Sequence, residues 1–163
     1  MSDENVKPGR DAVVSLREIT KETLRPLLKM KVAEAQENMV ANNAVSIAQA
    51  HFEPKAWFRG IYADETPVGF IMLYDDPDEP VYFLWRLMVA EEFQGLGYGR
   101  KAIEHLVEYV KTRPNATELQ VSHVKELPGN PGPFYEKLGF VYTGKVEGNE
   151  LVMSLPLRQE IGG

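Results

Sequence analysis

A chain of 163 residues with 44% hydrophobic and 26% charged side chains has the size and balance of one globular domain, which excludes collagen-like, fibrous and disordered classes. Its 18 basic and 24 acidic residues leave a net charge of −6 at pH 7, so a broad phosphate-binding face for nucleic acid is disfavoured and a cationic or neutral partner is expected. The absence of cysteine excludes disulfides, thiol nucleophiles and thiolate metal sites, and His51, His105 and His123 lack metal-ligand spacing, so no metal is expected.

The opening MSDENVKPGRD is polar where a secretory signal would be apolar, and no apolar run approaches the ~20 residues of a membrane span. A cytoplasmic protein that does not enter the membrane is the expectation, with monomer or homodimer left open. Residues 1–11 and 158–163 carry little to bury and read as flexible tails around a single domain at 12–157. Within it, Ala12 to Ile19 predicts a first strand. Lys21 to Val32 predicts a helix with Leu24, Leu27, Leu28 and Val32 on one face, Thr23 as N-cap and Pro26 in the first turn. A second helix is expected around Ser46 to Phe52. The period then changes: 56–63, 68–74 and 80–89 read as three consecutive antiparallel strands, the first two hinged at Asp64-Glu65-Thr66-Pro67. Residues 100–112 place Ile103, Leu106, Val107 and Val110 on one helical face and His105 on the solvated one. A strand at 119–124, a short helix at 134–138 stopped by Gly139, and a hairpin of 140–146 with 150–155 across Gly148-Asn149 complete the chain.

The chemistry concentrates between Val81 and Thr112. Gly95, Gly97 and Gly99 remove Cβ atoms where the chain turns from strand into helix, and the helix start presents unpaired N–H groups and a partial positive charge. That order makes a cradle for a pyrophosphate. Dinucleotide binding is disfavoured because the spacing is G-x-G-x-G rather than G-x-G-x-x-G, and Glu118 begins the next strand instead of ending it. The nucleotide-triphosphatase loop pattern is absent.

Gln94, Gly97 and Gly99 fit [Q/R]-x-x-G-x-[G/A], preceded by the apolar strand RLMVAEEF and followed late in the chain by PFYEKLGF, with Tyr135, Gly139 and Phe140. In these motifs, and in element order across 12–157, the chain resembles the Gcn5-related N-acetyltransferases. The resemblance implies an α/β (α+β) domain: a mixed, mostly antiparallel seven-stranded sheet flanked by helices, whose fourth and fifth strands run parallel and splay to admit acetyl-CoA. It implies that the main chain of Leu87, Met88 and Val89 pairs with the pantetheine arm. The amides of Gln94, Gly95, Leu96, Gly97, Tyr98, Gly99 and Arg100 would hold the pyrophosphate. Tyr135 would be the general acid that protonates the departing thiolate, with a packed aromatic on a short helix as the alternative. Two features depart from the family: the short helix is approached through Pro128-Gly129-Asn130-Pro131-Gly132-Pro133 where many members carry an Asn a few residues before it, and the strand offers Trp85-Arg86 where an acid is frequent. Tyr82, His123 and Glu126 are candidates for a water relay in place of that base.

Asp75, Asp76, Asp78 and Glu79 read either as a solvated hairpin tip or as an electrostatic collar for a cationic amine. Glu147, Glu150, Glu34 and Glu37 fall where the family places the acceptor. Gln36, Val40 and residues 46–50 (SIAQA) are similar to the bacterial spermine/spermidine (diamine) acetyltransferase branch. The expected activity is therefore acetyl transfer from acetyl-CoA to a primary amine of a small cationic acceptor such as a polyamine. A non-catalytic acyl-CoA-binding module is the alternative.

Overall fold

The computed structural model describes residues 7–31, 42–124 and 131–157. Glu34, Gln36, Glu37, Val40 and Glu126 lie outside them. The elements run β1 (Val14–Arg17), α1 (Leu24–Leu28), α2 (Asn43–Phe52), β2 (Ala56–Ala63), β3 (Thr66–Asp76), β4 (Val81–Val89), α3 (Tyr98–Lys111), β5 (Glu118–Val124), α4 (Gly132–Lys137), β6 (Val141–Glu147) and β7 (Glu150–Pro156). One seven-stranded sheet has the order β1-β2-β3-β4-β5-β7-β6. Every pairing is antiparallel except β4 with β5. No described helix is long and apolar enough to cross a membrane.

Two expected elements are shorter than their sequence pattern. The first strand spans Val14–Arg17 rather than 12–19, and of the helix expected over 21–32 the described residues 21–31 are α-helical only at Leu24–Leu28, with Leu27 the one buried residue there; Val32 lies outside the described residues. Thr23 occupies the N-cap position, but its hydroxyl accepts from the Thr20 amide at 2.8 Å and caps nothing. The second helix begins earlier than expected because Asn42 accepts from the Val45 amide at 2.9 Å, an N-cap that holds the first turn. At the other boundary, Gly9 accepts from the Tyr98 hydroxyl at 2.6 Å and Arg10 from Lys101 Nζ at 2.9 Å, so the chain meets α3 before residue 12.

The sheet separates two cores. Ile71, Leu73, Tyr82 and Leu84 face α3, where Tyr98, Ile103, Leu106 and Val110 are buried. Phe70, Met72 and Met88 face the other side, with Ala50 and Ile47 of α2. Strand β4 changes parity between these faces. Leu84 pairs with Leu73 and Arg86 with Met72, leaving Trp85 as an extra residue, a β-bulge. Before it the even residues Tyr82 and Leu84 join the α3 core; after it the odd residues Leu87 and Val89 do. Arg86 is thereby turned toward α2, to which its guanidinium is hydrogen-bonded through Gln49. The parallel contact of β4 with β5 is a single pairing, Phe83 with Gln120. Beyond it the strands part.

Candidate active site

The parting of β4 and β5 opens a cavity of about 800 Å³ that runs to the N-terminus of α3, within the range of small-molecule sites. Leu87, Met88, Val89, Gln94, Gly95, Gly97, Tyr98, Gly99, Arg100 and Tyr135 line it, so residues from three separate stretches of chain meet there. Leu96 does not line it; its side chain packs against the α3 core. Tyr98 contributes main chain, because its ring is buried and its hydroxyl is committed to Gly9.

The loop between β4 and α3 owes its shape to glycine. Gly95 and Gly97 have φ of 80° and 85°, the left-handed region that other residues enter at a penalty. A Cβ at either would meet nothing within 4 Å, so conformation, not crowding, requires glycine there. Gln94 Nε2 donates to the Val89 carbonyl at 2.9 Å and ties the loop to the strand end. The first intrahelical acceptance is Lys101 N–H to Gly97 O at 3.1 Å. The N–H groups of Tyr98, Gly99 and Arg100 therefore precede the helical ladder and meet the cavity. Open space beside two left-handed glycines, a helix start and an exposed arginine fit the diphosphate of CoA.

Tyr135 sits on α4, seated by its amide to Pro131 O at 3.1 Å and by Phe140, whose ring centroid is 5.4 Å away. It is 7% exposed, and its hydroxyl makes no hydrogen bond to a described residue. Burial pushes the phenol well above its ordinary value, which keeps the proton on oxygen at neutral pH.

The opposite wall carries His123, Ser122, Glu147 and Glu150. His123 Nδ1 lies 3.2 Å from Val124 O, which makes it the donor and leaves Nε2 to accept from the Tyr142 hydroxyl at 2.9 Å. Both ring nitrogens are engaged. Glu150 accepts from Ser122 Oγ at 3.3 Å, and Glu147 is 3.2 Å from Lys145. Tyr82 is no relay residue: it is buried, outside the cavity lining, and its hydroxyl donates to Pro114 O at 2.6 Å.

The acids at 75–79 do not line the cavity. Asp75 accepts from Tyr109 Oη at 2.8 Å and Arg113 Nε at 2.9 Å. Fully buried Asp76 accepts from Lys55 Nζ at 2.8 Å and the Asp78 amide at 3.0 Å. The Lys55 hydrogen bond holds the Asp76 carboxyl below its usual value against its burial. Desolvation, then the bond to Asp75, pushes the Tyr109 phenol up to about 12. The expected collar is a closed ion-pair network because both inner carboxylates find cations within the fold. Residues that sequence reasoning missed include Phe83, Phe134 and Gln49, the first two lining the cavity and the last holding Arg86. The parity break in FLWRLMV is the signal that could have located the bulge and the direction of Arg86.

The cavity thus lies between splayed parallel strands and is bordered by the glycine loop and the buried Tyr135. The sequence profile described as Acetyltransferase (GNAT) family matches residues 15–140, and the chain belongs to that family. It is an N-acetyltransferase. It is 25% identical over 138 residues to the 5-NmdU N-acetyltransferase of Pseudomonas phage PaMx11, covering 85% of this chain and 94% of the relative. To the spermine/spermidine N(1)-acetyltransferase of Bacillus subtilis (strain 168) it is 22% identical over 146 residues, covering 83% and 93%. Among solved structures, spermidine N-acetyltransferase from Vibrio cholerae in complex with CoA and spermine superposes with a TM-score of 0.64 at 16% identity, over 88% of this chain and 95% of that one.

Proposed function

We propose that the protein transfers an acetyl group from acetyl-CoA to the primary amine of a small acceptor that arrives as an ammonium ion. The supporting observation is the meeting, in one cavity, of the glycine-bent loop, the parted strands and Tyr135. Acetyl-CoA supplies an activated thioester. The amides of the loop from Gln94 to Arg100 hold its diphosphate, and the β4 main chain at Leu87, Met88 and Val89 aligns the pantetheine arm as a neighbouring strand would. The ammonium loses one proton to water, the free amine nitrogen bonds to the thioester carbonyl carbon, and as the carbon–sulfur bond breaks Tyr135 gives its proton to sulfur; the second proton leaving nitrogen passes to solvent, from which Tyr135 is reprotonated. Glu147 and Glu150 draw in the ammonium from the β7 side, which supplies carboxylates that β4 does not carry.

A polyamine is one member of this acceptor class, supported by the Bacillus subtilis relative and by Glu147 and Glu150. The acids at 75–79 lend it no support, since Asp75 and Asp76 are spent on Lys55, Arg113 and Tyr109 and none of the four lines the cavity. The test is CoA release, followed with a thiol reagent, across a panel of primary amines. Release that depends on an amine is expected; tight acetyl-CoA binding with every amine silent would leave the non-catalytic module instead.

A further inference from the structure

Among the described arginines, Arg17, Arg59, Arg100 and Arg113 each have a carboxylate at 2.9, 3.7, 3.2 and 2.9 Å, whereas Arg10, Arg25 and Arg86 have none; Arg10 and Arg25 are exposed to solvent, and Arg86 alone of the three is partly buried. Its guanidinium is fixed by neutral oxygens: Nη1 donates to Trp85 O at 2.9 Å and Nη2 to Gln49 Oε1 at 3.2 Å. Its Nε is buried without a hydrogen bond, and burial lowers its pKa, an effect that Glu150 opposes from a distance. A partly desolvated cation without a counter-charge is unfavourable unless something supplies one. The side chain lines the cavity. The bulge at Trp85 directs it to the α2 side of the sheet, away from α3 and the glycine loop, so the diphosphate region is not where it points. Across the gap stands Glu150, in no ion pair among the described residues. With Glu147 paired to Lys145, the two walls thus present one positive and one negative group outside any ion pair among the described residues to whatever lies between them.

We infer that Arg86 binds an oxyanion of the acceptor, a carboxylate or a phosphate, so that the substrate class is an amine carrying its own negative group rather than a polycation. This rests on the acetyl-transfer reading above. The planar guanidinium, held in place by Trp85 and Gln49, retains N–H groups for an oxygen acceptor, the geometry in which arginine outperforms lysine. An ammonium toward Glu150 and an oxyanion toward Arg86 would satisfy both walls together.

The experiment compares kcat/KM for 4-aminobutanoate, 2-aminoethyl phosphate, n-butylamine and spermidine with acetyl-CoA, in the parent, Arg86→Gln and Arg86→Lys proteins. The two anionic amines separate carboxylate from phosphate. At least one of them should exceed butylamine, and Arg86→Gln should reduce that anionic-to-neutral ratio by about 10- to 100-fold, with partial recovery in Arg86→Lys. Acetyl-CoA affinity, measured by calorimetry on the same variants, should not follow the ratio. Preference for butylamine or spermidine, an unchanged ratio in Arg86→Gln, or a loss of acetyl-CoA affinity that accounts for the effect overturns the inference alone. Transfer to none of the four amines while acetyl-CoA binds overturns the acetyl-transfer reading with it.

Discussion

The two ends of β4 are both rich in charge and do opposite things with it. At the hairpin end, Asp75 and Asp76 are matched within 3 Å by Arg113, Tyr109 and Lys55. At the splayed end, Arg86 and Glu150 stand on facing walls with no ion pair among the described residues. The first arrangement is complete in the folded chain. The second is complete only with something between the walls. Charge density in a sequence therefore says little about where a ligand binds; whether the fold has already neutralised the charge says much more.

Substitutions should separate the two ends cleanly. The largest effect is expected for Tyr135→Phe at the open end. Turnover should fall about a hundredfold, roughly 2.7 kcal/mol in the barrier, with acetyl-CoA affinity and Tm near the parent because the hydroxyl bonds no described residue. Retention of kcat within about twofold would make Tyr135 a packing residue. Next, Gly97→Val forces a β-branched residue to a φ of 85° and should weaken acetyl-CoA about tenfold or more in calorimetry, with the sheet intact by circular dichroism. Unchanged affinity would remove the loop from the site.

At the closed end the pattern should invert. Asp75→Ala deletes the acceptor shared by Tyr109 and Arg113 and should cost about 1–2 kcal/mol in denaturant unfolding while kcat/KM stays at the parent value. A raised KM for amines would restore the collar that the geometry argues against. The smallest effect is one of pH. Because Lys55 holds the Asp76 carboxyl low, its contribution is present above the unfolded carboxylate value near 4 and is lost as pH falls through the lower folded value. Tm of the parent should therefore drop more steeply below about pH 4 than that of Asp76→Asn; parallel curves would show that the pair is not coupled to folding.

Much of the fold is legible in the sequence because its signals are local. Alternation gives β2 and β5, the apolar face at 103, 106, 107 and 110 gives α3, and Gly148-Asn149 gives the last hairpin. The helix over 21–32 is over-read because a leucine spacing reports what could be buried, whereas tertiary packing takes only Leu27. For the candidate site, the glycine loop and Tyr135 stand out because φ and motif spacing are local too. The pairing of Asp75 with Arg113, 38 residues away, or of Arg86 with Gln49, 37 residues away, leaves no trace in either neighbourhood. Neither could be read without the fold.

The parting of β4 from β5 past Phe83 bears also on exchange kinetics. Half of the amides of β4 point away from β3, and past Phe83 the sheet offers them no partner strand. These amides should take up deuterium quickly in the free protein, although they belong to a central strand that ordinarily ranks among the slowest to exchange. Acetyl-CoA should slow residues 87–89 selectively and leave 81–83 as they were, so that β4 behaves as an interior strand at one end and as an edge awaiting its neighbour at the other.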